Sequence, residues 1–135
     1  MAINSTHPTY AAMLPDWQLM RDAYLGERAV KARGLVYLPA TPGHKLDGMS
    51  SANDAGMQAY EAYKLRAKFP DYVSEAVERY IGLLHSKAPT IELPAQLEAM
   101  RSRATVDGES LEALLRRINE QQLVTGRLGL LLDFP

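Results

Sequence analysis

Apolar side chains recur at spacings of three and four at Tyr10, Met13, Leu14, Trp17, Met20 and Tyr24, which predicts a helix over about 8–25 with one apolar face. Pro15 lies inside that run. Proline suits a first turn and disrupts an interior, so the main helix is expected to begin at Pro15-Asp16 after a short preceding turn. Gly26 supplies the stop. Glu27 to Arg33 offers one or two further helical turns before Gly34, and Leu35-Val36-Tyr37-Leu38, ahead of Pro39, reads as extended. From 40 to 55 the chain is rich in Gly, Pro, Ser, Asn and Asp with few large apolar groups, the pattern of a long flexible loop.

Helical spacing resumes over 56–69, where the apolar positions Met57, Tyr60, Tyr63 and Phe69 are mostly aromatic. After Pro70, Asp71 is placed as an N-cap with Glu75 near the capping-box position, for a helix over 71–85 carrying Val73, Val77, Tyr80, Ile81 and Leu84. Thr90-Ile91-Glu92-Leu93-Pro94 is a short extended piece, and Gln96 to Arg103 a short helix. The clearest amphipathic helix covers 110–125, with Leu111, Leu114, Leu115, Ile118 and Gln122 on one side and Gly126 as its stop. Arg127 to Pro135 then reads as a strand over 128–133 with apolar residues on both faces, the pattern of a strand buried within a sheet. Only two short extended candidates precede it, so its partners are expected elsewhere. These elements give a mainly α fold with a few short strands, approximately α+β, in a single region spanning 1–135.

Composition narrows the classes. A 135-residue chain that is 47% hydrophobic and 23% charged is that of a folded chain, not of a disordered one. Charge nearly cancels in both halves: residues 1–67 hold seven basic and six acidic groups and residues 68–135 eight and ten, which argues against a generic duplex-DNA surface. With zero cysteines there is no disulfide framework, thiolate zinc site or cysteine nucleophile, and a reducing compartment is favoured. No secretory signal and no apolar run near the roughly 20 residues of a membrane helix is visible, so the chain is expected to be intracellular, with no membrane partner.

Candidate chemistry is sparse. His7, His44 and His85 fall on a terminus, a loop and a helix end without a second ligand at metal-site spacing. His85 suits a helix C-terminus, where the dipole favours an imidazolium. His44, near Asp47 and Asp54, is the one place for a small metal or catalytic site, although carboxylates in a polar loop are ordinarily just solvated. Gly126-Arg127-Leu128-Gly129 separates a helix from a strand, the reverse of the order that binds phosphate. Lys64, Arg66 and Lys68, interleaved with Tyr60, Tyr63 and Phe69, are the best nucleic-acid candidates, yet the three cations do not share a helical face and the aromatics suit a core. Arg101, Arg103, Arg116 and Arg117 read as solvated helix surface, Trp17 as a packing anchor, and Arg127 with Asp133 as flanks of the terminal strand. No catalytic residue, metal ligand or cofactor is assigned, and DNA-contacting residues are left unassigned.

The order of these segments carries a resemblance. His7-Pro8-Thr9-Tyr10 leads to Pro15-Asp16-Trp17 and Arg21-Asp22, then Gly26-Glu27-Arg28-Ala29-Val30-Lys31, then Tyr37-Leu38-Pro39. Tyr60 to Ala67 follows, then Glu78-Arg79 through Gly82 to Lys87-Ala88-Pro89 and Ile91-Glu92-Leu93-Pro94, then Asp107-Gly108 with Ser110-Leu111, and Gly126 to Pro135. In that order they resemble the N-terminal region of the portal proteins of tailed bacteriophages and prophages. Two features depart from that family: a longer loop at 41–55, and Glu78-Arg79-Tyr80 where an Arg-Thr pair is expected.

The resemblance implies a non-enzymatic subunit of a ring at the capsid vertex, the head-to-tail connector, in which this region belongs to the outer wing of a several-times longer chain. Implied partners are further copies of itself, terminase, capsid and tail-adaptor proteins. DNA passes through the channel without being bound by this region. The implied location is the virion, after assembly in the bacterial host cytoplasm. The alternatives are a free-standing small helical phage or prophage adaptor, and a small enzyme built around His44.

Overall fold

A computed structural model describes residues 5–131, and among them every regular element is helical. The α-helices are α1 (Pro8–Leu25), α2 (Glu27–Ala32), α3 (Pro42–Leu46), α4 (Ala55–Arg66), α5 (Tyr72–Leu84) and α6 (Leu111–Thr125), with 3-10 turns at Gly34–Val36 and Ala95–Arg101. The mainly α expectation stands, but the few short strands do not appear among the described residues. The chain divides into two compact units, residues 1–74 and 75–135.

In the first unit, α1 runs unbroken through Pro15 instead of starting there. The carbonyl that Pro15 cannot serve belongs to Ala11, on an exposed stretch where water can take its place. His7 caps the helix by accepting from the Thr9 amide. At Gly26 the backbone takes φ 80° and ψ −160°, a conformation only glycine adopts readily, so α2 folds back against α1. The Asp71 carboxylate lies where a Cβ on Gly26 would point.

The segment Leu35–Leu38 is not extended. Gly34 turns the chain at φ 51°, and the amides of Tyr37 and Leu38 both bond back to the Gly34 carbonyl. Tyr37 is thereby brought back to α1, where its hydroxyl donates to Asp22, and these local and tertiary bonds outweigh the β-propensity of Val and Tyr.

The expected flexible loop over 40–55 holds a helix. Thr41-Pro42-Gly43-His44 forms a capping box, with Pro42 at the first turn: the Thr41 hydroxyl accepts from the His44 amide and His44 Nδ1 accepts from the Thr41 amide. Asp54 orders the next stretch, one carboxylate oxygen accepting from the amides of Ser50 and Ser51 at 2.8 Å each. α4 ends at Arg66, three residues before the expected position, because Lys68-Phe69 precede Pro70 and the Phe69 amide donates to Glu27.

α5 and α6 lie close to their expected spans. Ser110 caps α6 by accepting from the Ala113 amide, and Gly126 closes it at φ 74°. Among the described residues, Val77, Ile81 and Val124 are the buried apolar side chains of the second unit. Residues 90–94, expected to be extended, form no strand, and Arg101 donates to the Ile91 carbonyl there. The expected terminal strand is absent over 128–131, and the rest of it, with Asp133, lies outside the described residues.

Candidate functional site

The most organised polar group in the chain sits between α1 and the turn after α2. Asp22 is the only buried residue of α1. Its carboxylate accepts from Arg33 Nε at 2.7 Å and from the Tyr37 hydroxyl at 2.7 Å, and Gln18 faces the same guanidinium. The Arg33 hydrogen bond, supported by that from Tyr37 and by the nearby positive charge, holds the Asp22 carboxyl below its ordinary range despite burial. The same contact with Asp22 pushes the Tyr37 phenol up.

Two further staples close the first unit. Glu27 pairs with Lys31 at 2.7 Å and accepts from the Phe69 amide, and both contacts, that of Lys31 foremost, lower its pKa. Lys31 also donates to the Leu65 carbonyl at 2.9 Å, while the buried Tyr60 gives its hydroxyl to the Leu38 carbonyl at 3.0 Å. Residues far apart in sequence thus meet through polar atoms already satisfied within the protein. Polar groups so paired specify one packing of these segments.

His44 and the loop carboxylates do not converge: His44 is committed to its capping box and packs its ring beside Tyr60 and Tyr63 at 6.0 and 5.9 Å, and Asp54 is occupied by loop amides. Among the described residues no group of three or more His, Asp or Glu side chains is gathered to hold a metal. Lys64 pairs with Glu61 at 2.7 Å and its ammonium lies 5.9 Å from the Tyr60 ring, so the proposed Lys64, Arg66, Lys68 series is not a free basic stripe.

In the second unit, Arg101 is engaged by Glu98 and Ile91, and Arg117 stands 3.0 Å from Glu109. His85 follows the last residue of α5, as expected, and its Nε2 lies 3.1 Å from the Asn119 side-chain amide on α6. It borders a 270 Å³ recess with Ser110, Glu112 and Arg116, which holds charges of both signs and so favours neither an anion nor a cation.

The other notable surface is apolar. Among the described residues, the buried apolar side chains are only Val30, Tyr60, Val77, Ile81 and Val124. Tyr10, Met13, Leu14, Leu19 and Met20 on α1 are exposed, as are Tyr80, Leu83 and Leu84 on α5. An open groove of 550 Å³ also runs along α4, bordered by Met57, Ala62 and Leu65 and by Ser50 to Ala52. Recurrence every three or four residues identifies an apolar face without saying whether the same chain covers it. None of the described helices is long and apolar enough to cross a membrane. No protein-family model, curated protein or solved structure matches the chain.

Proposed function

We propose that this chain is the N-terminal, wing-type region of a portal subunit of a tailed bacteriophage or prophage, a structural and not a catalytic element of the ring at the capsid vertex. It works by association, with further copies of itself and with terminase, capsid and tail-adaptor proteins, and it lies outside the channel through which DNA moves. The observation that carries this reading is the use made of the residues behind the resemblance. Asp22, Gly26, Glu27, Lys31, Tyr37, Leu38 and Tyr60 come from separate segments and serve one another as packing and hydrogen-bonding staples, while the apolar faces of the helices point outward. A scaffold of that kind supports an assembly role. Near-zero net charge and paired lysines suit a region past which DNA slides without being gripped.

Negative-stain microscopy of the full-length product tests this. Closed rings are the expected result, and monomers at high concentration with no ring under any condition would overturn it. The uncovered α4 groove also favours a second reading, a free-standing helical adaptor whose apolar faces seat a partner helix. The gene sequence past Pro135 separates the two: several hundred further codons fit the portal subunit, an immediate stop the adaptor.

A further inference from the structure

Two of the three histidines accept a hydrogen bond from a backbone amide where a helix begins. His7 Nδ1 takes the Thr9 amide at α1, and His44 Nδ1 takes the Thr41 amide at α3, each at 3.3 Å. In a capping box the residue that reaches back to the cap amide is ordinarily Glu or Gln, whose side-chain oxygen accepts throughout the neutral range. Histidine accepts there only as the neutral ring, because both nitrogens of an imidazolium are donors. The Thr41 amide is a backbone donor and cannot reverse its role. His85 provides the contrast: its partner is the Asn119 carboxamide, which can turn its oxygen toward a protonated ring.

His44 also joins α3 to α4. Its ring lies beside those of Tyr60 and Tyr63, and its carbonyl lies against Gly56, where a Cβ would collide. The charged groups around it are Lys45 and Asp47 on its own segment, Glu61 and Lys64 on α4, which pair with each other, and Asp54, which holds loop amides. Among the described residues His44 forms no ion pair that would reward protonation. The tyrosine rings can hold a cation, yet they do not relieve the donor-to-donor contact with Thr41, so a protonated ring must swing away from that amide. We infer that His44 is an acid-sensitive catch: neutral, it closes the capping box of α3; protonated, it opens that box and loosens α3 on α4. The box holds the neutral ring alone, so the open form takes up the proton more readily. Its contribution to stability is therefore present at neutral pH and above and is lost on acidification. The catch works within one chain and does not depend on the assembly reading.

The test is an NMR titration of the whole chain between about pH 8 and about pH 5, the interval in which histidine changes charge. The Thr41 amide proton is expected to move upfield, as its hydrogen bond is lost, with the same midpoint as the His44 ring. The amide of Ala113, capped by Ser110 at the start of α6, should stay where it is. His44→Gln leaves Thr41 an acceptor at every pH and should abolish the shift, whereas His7→Gln and His85→Gln should leave it in place. Urea titrations at the two ends of the range should show the folding equilibrium of the parent falling several-fold relative to that of His44→Gln. Should His44→Gln fail to fold, the parent titration decides alone. A Thr41 amide that stays put while the His44 ring titrates, or a shift that persists undiminished in folded His44→Gln, would overturn the catch.

Discussion

Replacing Gly56 with alanine destabilises the first unit by about 3 kcal/mol, close to the upper end of what overpacking costs. Gly56 opens α4 and is buried where α3 crosses it, its amide donating to the Asp47 carbonyl at 3.2 Å. A Cβ there would overlap the carbonyl oxygens of His44 and Gly48. Both are backbone atoms held by α3 and the turn after it, so neither can swing aside as a side chain would. Relief requires α3 to move off α4, which disturbs the His44, Tyr60 and Tyr63 ring cluster as well. Gly82 is the matched control: it lies inside α5 with nothing near its Cβ, and Gly82→Ala is expected to stabilise by about 0.5–1 kcal/mol through helix propensity. Urea titrations followed by circular dichroism measure both, and equal midpoints for the two variants would refute the close α3–α4 approach.

Asp22→Ala is the second large effect, at about 2 kcal/mol, because it strands the Tyr37 hydroxyl and an Arg33 that can be partly rehydrated at the surface. The stabilisation is pH-dependent in a defined direction. The folded-state pKa of Asp22 lies below its ordinary value of 3.8, so the contribution is full above that value and is lost as the pH falls through the folded-state pKa. The stability difference between the parent chain and Asp22→Asn should therefore be constant near neutrality and shrink in the acid range below about pH 4. A difference that grows on acidification would contradict the assignment of Asp22 as the ionised partner.

The elements legible in the sequence are those whose periodicity is complete within a few turns. α5 and α6 follow from their apolar spacing and from Ser110 and Gly126, and α1 follows from its three-and-four spacing. Misreadings arise where a local bond overrides a propensity. Leu35-Val36-Tyr37 has strand composition, but Gly34 and the Tyr37 to Asp22 bond turn it into a 3-10 helix. Thr41 to Leu46 has loop composition, yet a proline in the first turn and a threonine to histidine capping box make it a helix. The box was visible in principle as Thr-Pro-x-His; the surrounding glycine and proline concealed it.

For the site, the sequence offered residue types and the fold supplies their partners. Asp22 was one letter in a motif, and the signal for it was an acid in phase with the face that α1 turns toward Arg33, detectable only once the chain is known to fold back at Gly26. Conversely His44, chosen for its neighbouring carboxylates, is spent on capping and ring packing.

The central claim is that association covers the apolar faces this chain leaves open while its polar staples stay as they are. Hydrogen exchange compares the chain at high dilution with the chain at the highest concentration it tolerates. The account predicts slower exchange in α1 and along the outward arc of α5 on assembly, with little change at Glu27–Tyr37 and around Gly56. Identical exchange in α1 and α5 in the two states would contradict it.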